Sequence, residues 1–173
     1  MMSEFNQSVI AQYLLFYVQY GVIICRSCQC AIHPEGMELH MRRFHKLYSL
    51  AIRTELVQYA NSLTLKSVEN VKALDIDPNS RSIKGLKTSA GYQCNVCNIL
   101  YATENSIRTH AHKQHKLGIK PEQPWTECVV QTFFKASRDS KFFRVNGICL
   151  NSDNNGVDPN YYAKRESPGS HDF

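Results

Sequence analysis

Two sets of four side chains in this sequence have the types and spacing that hold a metal ion. The first is Cys25, Cys28, His40 and His45; the second is Cys94, Cys97, His110 and His115. In each, a Cys-x2-Cys pair precedes a His-x4-His pair, with eleven residues between the pairs in the first set and twelve in the second, and corresponding residues lie 69 or 70 positions apart. Zinc takes four donors in a tetrahedron, and thiolate sulfur and imidazole nitrogen match its borderline softness. Two Cys on a tight turn and two His on one face of a helix direct four such donors to one point. The second set fits the C2H2 spacing, and the first is one residue shorter. Apolar residues sit at matching offsets around both, Ile23, Ile32 and Met37 in the first and Tyr92, Tyr101 and Ile107 in the second. The expected cofactor is Zn2+ at two structural sites.

The chain holds seven Cys and seven His, so each set leaves others over. In a reducing compartment such residues point to metal before disulfides. Cys30 can replace Cys28 as a ligand only by rebuilding the turn. Cys128 and Cys149 read as small thiols in or beside strands. His33 and His112 read as solvent-facing, and His171 lies near the C-terminus. None of these forms a catalytic triad. A zinc hydrolase needs an open coordination position and a nearby general base; both sets supply four protein ligands and no Glu lies in an HExxH context, so no enzyme activity is expected.

The elements that must position these donors follow from periodicity and turn signals. Residues 1–24 read as a helix over Val9 to Val18 and a strand, Gly21 to Ile24, leading into the first finger at 25–46. Residues 47–91 read as a helical insert and linker. Within it Met41, Phe44, Leu47, Tyr48, Ala51, Ile52 and Leu56 continue a spacing of three and four, which predicts one long helix from Glu38 to Tyr59, bent near Ser49. A shorter helix is expected over Thr64 to Leu74, and a turn at Asp77-Pro78-Asn79-Ser80. The second finger occupies 92–117. Residues 118–150 read as a β-hairpin, Trp125 to Phe134 with Lys141 to Val145, and 151–173 as a disordered tail. The expected fold class is α+β: two zinc-stabilised ββα-like C2H2 units joined by a helical insert, with a C-terminal β-hairpin.

Composition restricts the function classes. At 173 residues, with 43% hydrophobic and 20% charged residues, the chain has one domain's length and a globular composition. The apolar stretch Val9 to Ile24 is interrupted by Gln12 and Gln19 and is shorter than a membrane helix requires. The first ten residues carry Glu4 and no Lys or Arg, unlike a secretory signal. An intracellular protein, with a nuclear location, is expected. The net charge of +5 is concentrated around the two metal sets, +3 over residues 25–53 and +5 over 84–120, with the remainder negative.

The segments VIICRSCQCAIHPEGMELHMRRFH, GYQCNVCNILYATENSIRTHAHKQH, and WTECVVQTFF with KFFRV resemble the fungal family named after orsellinic acid biosynthesis cluster protein D, over about residues 9 to 147. The resemblance implies two C2H2-like fingers separated by a helical insert, a following segment with Trp125 and Gln131, a fungal source, and the same eight ligands. It implies little mechanism. The base-reading helix positions −1, 3 and 6 fall on His33, Gly36 and Leu39 in the first finger and Thr103, Ser106 and Thr109 in the second. None is the Arg, Lys, Asn or Gln that pairs bidentately with a purine. The expected function is a non-catalytic macromolecular interaction module with a protein partner. The alternative is a nuclear nucleic-acid-binding protein with weak, sequence-independent phosphate contacts. No membrane partner is expected.

Overall fold

The computed structural model describes residues 7–116, 123–135 and 140–146. The tail expected over 151–173, with His171, and the thiol Cys149 lie outside the described residues, as does most of the turn expected between the last two strands. The architecture mixes helix and sheet. A three-stranded sheet lies in the N-terminal part, a four-stranded sheet is built from the C-terminal part, and five helices flank them among the described residues.

The chain starts with helix α1, Gln7–Tyr13, and passes directly into strand β1, Leu14–Tyr17. Val9 to Val18 therefore do not form the single helix expected from their sequence. Leu14 to Tyr17 pair antiparallel with strand β2, Val22–Cys25. A run of four apolar residues does not by its periodicity distinguish strand from helix. The partner decides: all four β2 residues are buried, so both edges of β2 must be hydrogen-bonded. Strand β3, Cys30–Ala31, covers the other edge. Gly21 closes the β1–β2 turn at φ +62°, its N–H donating to the Tyr17 carbonyl at 2.8 Å.

The long helix expected from Glu38 to Tyr59 is two helices, α2 at Met37–Phe44 and α3 at Leu50–Asn61. Ser49 does not bend a continuous helix; it starts a new one, its hydroxyl accepting the Ile52 N–H at 3.3 Å as an N-cap. The apolar spacing runs on because Met41 and Leu56 enter the same core although they belong to different helices. The next helix, α4 at Val68–Lys72, is shorter at both ends than expected and is capped by Ser67. A turn forms at Asp77 to Ser80, with the Ser80 N–H donating to the Asp77 carbonyl at 2.8 Å.

The second sheet contains β4 at Ser89–Cys94, β5 at Leu100–Tyr101, β6 at Trp125–Thr132 and β7 at Phe142–Val145, in the order β5-β4-β6-β7. The expected pairing of the last two strands is present, from Val129 opposite Val145 to Thr132 opposite Phe142. It is not a separate hairpin: β6 pairs along its other edge with all of β4, from Ser89 opposite Val130 to Cys94 opposite Trp125. Strand β6 also stops at Thr132, two residues earlier than expected. Phe133 and Phe134 turn into the core, and the Phe133 carbonyl accepts the Ala31 N–H at 2.7 Å, joining the edge of the first sheet.

Three apolar clusters result. The central one combines Val22, Ile24 and Ala31 with Val71, Ile83, Leu86, Phe133, Phe134, Phe143 and Val145. One on the opposite face of the first sheet contains Ile10, Leu14, Ile23, Ile32, Met37, Met41, Leu56 and Ala60 around Cys25. The third is small, Cys94, Ile107, Ala111 and Trp125. It lies under the last helix, α5, Glu104–His115. No helix among the described residues is long and apolar enough to cross a membrane.

Candidate metal centres

Each expected set of four donors is brought together. Within each, the donor atoms of Cys25, Cys28, His40 and His45, or of Cys94, Cys97, His110 and His115, lie within 4.8 Å of one another. In the first set His45 Nε2 is 3.2 Å from His40 Nε2, 3.2 Å from Cys25 Sγ and 3.4 Å from Cys28 Sγ. In the second, His115 Nε2 is 3.2 Å from His110 Nε2 and 3.4 Å from Cys97 Sγ, and His110 Nε2 is 3.2 Å from Cys97 Sγ. A tetrahedron with metal–nitrogen bonds of about 2.05 Å and metal–sulfur bonds of about 2.3 Å has N···N edges of about 3.3 Å and N···S edges of about 3.5 Å. The donor sets therefore fit a four-coordinate metal ion.

The same local device builds both centres. A strand delivers the first Cys, β2 for Cys25 and β4 for Cys94. The chain then turns back: the Gln29 N–H donates to the Cys25 carbonyl at 2.8 Å, and the Asn98 N–H to the Cys94 carbonyl at 2.9 Å. Gln29 and Asn98 stand at φ +53° and +60°, a left-handed conformation that closes the turn and is uncommon for side chains larger than Asn. The Cys28 N–H also points at Cys25 Sγ, 3.4 Å away. A short second strand and a helix follow; α5 carries both His110 and His115, whereas α2 carries His40 and ends at Phe44, with His45 as its C-cap.

The two helices differ at their starts. Thr103 caps α5, its hydroxyl accepting the Ser106 N–H at 3.2 Å and lying 2.7 Å from the Ser106 hydroxyl. Helix α2 begins only at Met37, with Gly36 as its N-cap and no side-chain cap. The residue missing from the first set is absorbed here. The helix has lost its first turn, so His33 and Gly36 precede it.

Electrostatics differ among the thiols. The hydrogen bond with Cys25, followed by the His40 and His45 imidazoles, holds the Cys28 thiol down at about 3 against the opposing push of burial. The Cys25 thiol is raised, first by that same hydrogen bond with Cys28 and then by burial. Thiolate and neutral imidazole are the forms that bind metal, so affinity falls as the solution is acidified.

Cys30 stands opposite Cys25 on β3 and is outside the donor set. Burial pushes its thiol up to about 11, partly offset by Lys135, and its position, outside the converging donors, is what keeps it from being a ligand. Cys30→Ser should retain two metal equivalents per chain by mass spectrometry; loss of one would make Cys30 a ligand. Cys128 is a half-buried β6 residue. His33 does not simply face solvent: its ring packs on Phe134 with centroids 4.8 Å apart. His112 is exposed on α5.

Sequence reasoning missed Tyr48. Its ring stacks on His45, 4.7 Å between centroids and 15° between planes, and its hydroxyl lies 3.0 Å from the Ser27 hydroxyl inside the Cys25–Cys28 turn. Tyr13 packs on it at 4.9 Å. One side chain thus clamps both halves of the first centre, and the available signal was an aromatic residue three positions after the second His.

The family model described as Orsellinic acid/F9775 biosynthesis cluster protein D matches residues 12–116, a span that contains all eight donors. A curated protein of that name from Emericella nidulans is 34% identical over 129 residues, 73% of this chain. The chain spans 24% of that relative's length. No solved structure matches.

Proposed function

The chain belongs to the orsellinic acid cluster protein D family, and from that premise we propose that it is a zinc-stapled C2H2-type interaction module without catalytic activity. The observation that carries the reading is closure of both centres by four protein donors each. Two Cys and two His make a structural rather than a catalytic ligand set for zinc, because no position remains for a substrate or an activated water. Zinc would supply cross-links between strand and helix that the small cores around it do not provide. The partner proposed for the module is another protein. Metal content tests the reading: two zinc per chain by mass spectrometry is expected, and fewer than about 1.5 would defeat the two-site stoichiometry.

Phosphate-backbone binding in the nucleus is the second reading, favoured by the positive α5. Its cations are not all available: Arg108 pairs with Glu104 at 2.7 Å, which leaves Lys113 and Lys116 as the main phosphate candidates. Base-specific contact has little support from the geometry. Thr103 and Ser106 are engaged with each other as a cap, and His33 and Gly36 precede α2. Binding of unrelated duplexes should therefore be weak and similar, with a slope of log affinity against log salt of about −3 to −4 for three or four phosphate contacts. Lys113→Ala with Lys116→Ala should lower both affinity and slope. One sharp consensus selected from random duplexes and bound at nanomolar strength in 0.15 M salt would refute the phosphate-only account.

A further inference from the structure

A cleft of about 680 Å³ opens beside the first centre, between α2 and the chain segments around β3 and Phe134. Ile32, Leu39, Phe44 and Phe134 form apolar wall, and Glu35, Arg43 and Lys135 are the charged lining residues. Helix α2 is apolar on more than the face it needs for folding. Met37 and Met41 point into the core at 2% exposure, whereas Leu39 and Phe44 are 40% and 38% exposed along the cleft. Leu47 and Leu50, at 100% and 71%, continue the exposed apolar stretch just beyond the helix. Four of the seven exposed large apolar side chains among the described residues thus fall between positions 39 and 50. Of these, Leu39 and Phe44 share the cleft wall with Ile32 and Phe134, and a contiguous exposed apolar surface marks an interaction site, unlike scattered single residues.

Charge selects the partner. Among the residues lining the cleft, the cations Arg43 and Lys135 face the single carboxylate of Glu35. Among the described residues no carboxylate pairs with Arg43 or Lys135. An apolar floor with exposed cations at its margin is the anatomy of a protein interface, with its dry centre and polar rim. A small anionic ligand would place its charge against exposed cations that water already screens and would leave the apolar wall of Leu39 and Phe44 uncovered. We propose that the cleft beside α2 seats an amphipathic helix of a partner protein, apolar at i, i+3 or i+4, and i+7, and acidic along its flanks. An eight-residue α2 is about 12 Å long, and a partner lying along it presents two to three turns. This inference rests on the interaction-module reading and names the partner's chemistry.

The test is selection of random 16-residue peptides, displayed on phage, against the zinc-loaded full chain. The expected result is a family of peptides with helical apolar spacing and at least two acidic residues, bound at micromolar strength or better. Leu39→Asp should weaken these at least tenfold. Arg43→Glu combined with Lys135→Glu should do the same, and replacing the peptide's acidic residues by Lys should restore binding to that double variant. Phe44 is left intact because its ring packs 5.2 Å from the ligand His40. Zinc content measured on each variant keeps a folding defect from passing as lost affinity. Recovery of no peptides overturns the proposal. So does binding that is indifferent to Leu39→Asp or to charge reversal; peptides that instead bind another face would leave the module reading standing and remove only this site.

Discussion

Stripping the metal from this chain should abolish cooperative unfolding of its N-terminal half and melt α5 in its C-terminal half. Zinc affinity becomes folding free energy, about 10–16 kcal/mol per structural site at neutral pH in small fingers, which rivals the 5–15 kcal/mol stability of a whole domain. The two centres should fail differently. Cys25 sits within a buried cluster that also holds α1, β2, α2 and α3 together, so its loss removes the link between strand and helix inside the larger core. The second centre has only Cys94, Ile107, Ala111 and Trp125 as its buried cluster, while β4 remains paired with β6 along six residues. Cys94→Ser should therefore cost the 12-residue α5 and spare the sheet; Cys25→Ser should lower global stability. Hydrogen exchange resolved by segment would show this. Equal loss of protection throughout both halves in the two variants would contradict the division, and an unchanged unfolding curve after chelation would remove the structural role of the metal altogether.

Gln131→Leu should destabilise the chain by about 3–9 kcal/mol, because it strands three buried backbone groups at about 1–3 kcal/mol each. Gln131 is 1% exposed. Its side-chain oxygen accepts the Ile83 N–H at 2.7 Å, and its amide nitrogen donates to the Ile83 and Leu86 carbonyls, both at 3.0 Å. Strand β4 begins at Ser89, opposite Val130, so for the 83–86 loop that precedes it the Gln131 amide takes the place of a neighbouring strand. That loop carries Ile83 and Leu86 into the central core. Its Gly85, at φ +88°, lies so close to β1 that a Cβ would come within 2.7 Å of Leu15 Cδ1. Leucine nearly matches the volume of glutamine, so the effect would report lost hydrogen bonds rather than a cavity. Urea unfolding at saturating zinc measures it, and a change below about 1 kcal/mol would mean that water or a shifted loop satisfies these groups.

What the sequence alone determined was local. Which eight donors converge is set within segments of 21 or 22 residues by a turn, a short strand and a helix, whose geometry fixes where each Sγ and Nε2 points. The apolar positions Ile23, Ile32, Met37 and Ile107 are buried for the same reason. The absent residue in the first set was legible as a shorter spacing, although its effect on the start of α2 was not. The tertiary structure decided whatever depends on partners distant in the chain. Leu14 to Tyr17 become a strand because β2 needs an edge partner, and no pattern within four apolar residues encodes that need. The expected hairpin became part of a larger sheet because β6 also pairs with β4, more than 30 residues before it. Ser49 divides two helices that share one core, so periodicity ran across a break. Gln131 and Tyr48 act through residues 48 and 21 positions away. The cleft beside α2 requires residues near positions 30 and 134 to meet. Spacing along the chain encodes a ligand set because its elements are contiguous; pairing and burial between distant segments are fixed only by the competition among all of them for the same core.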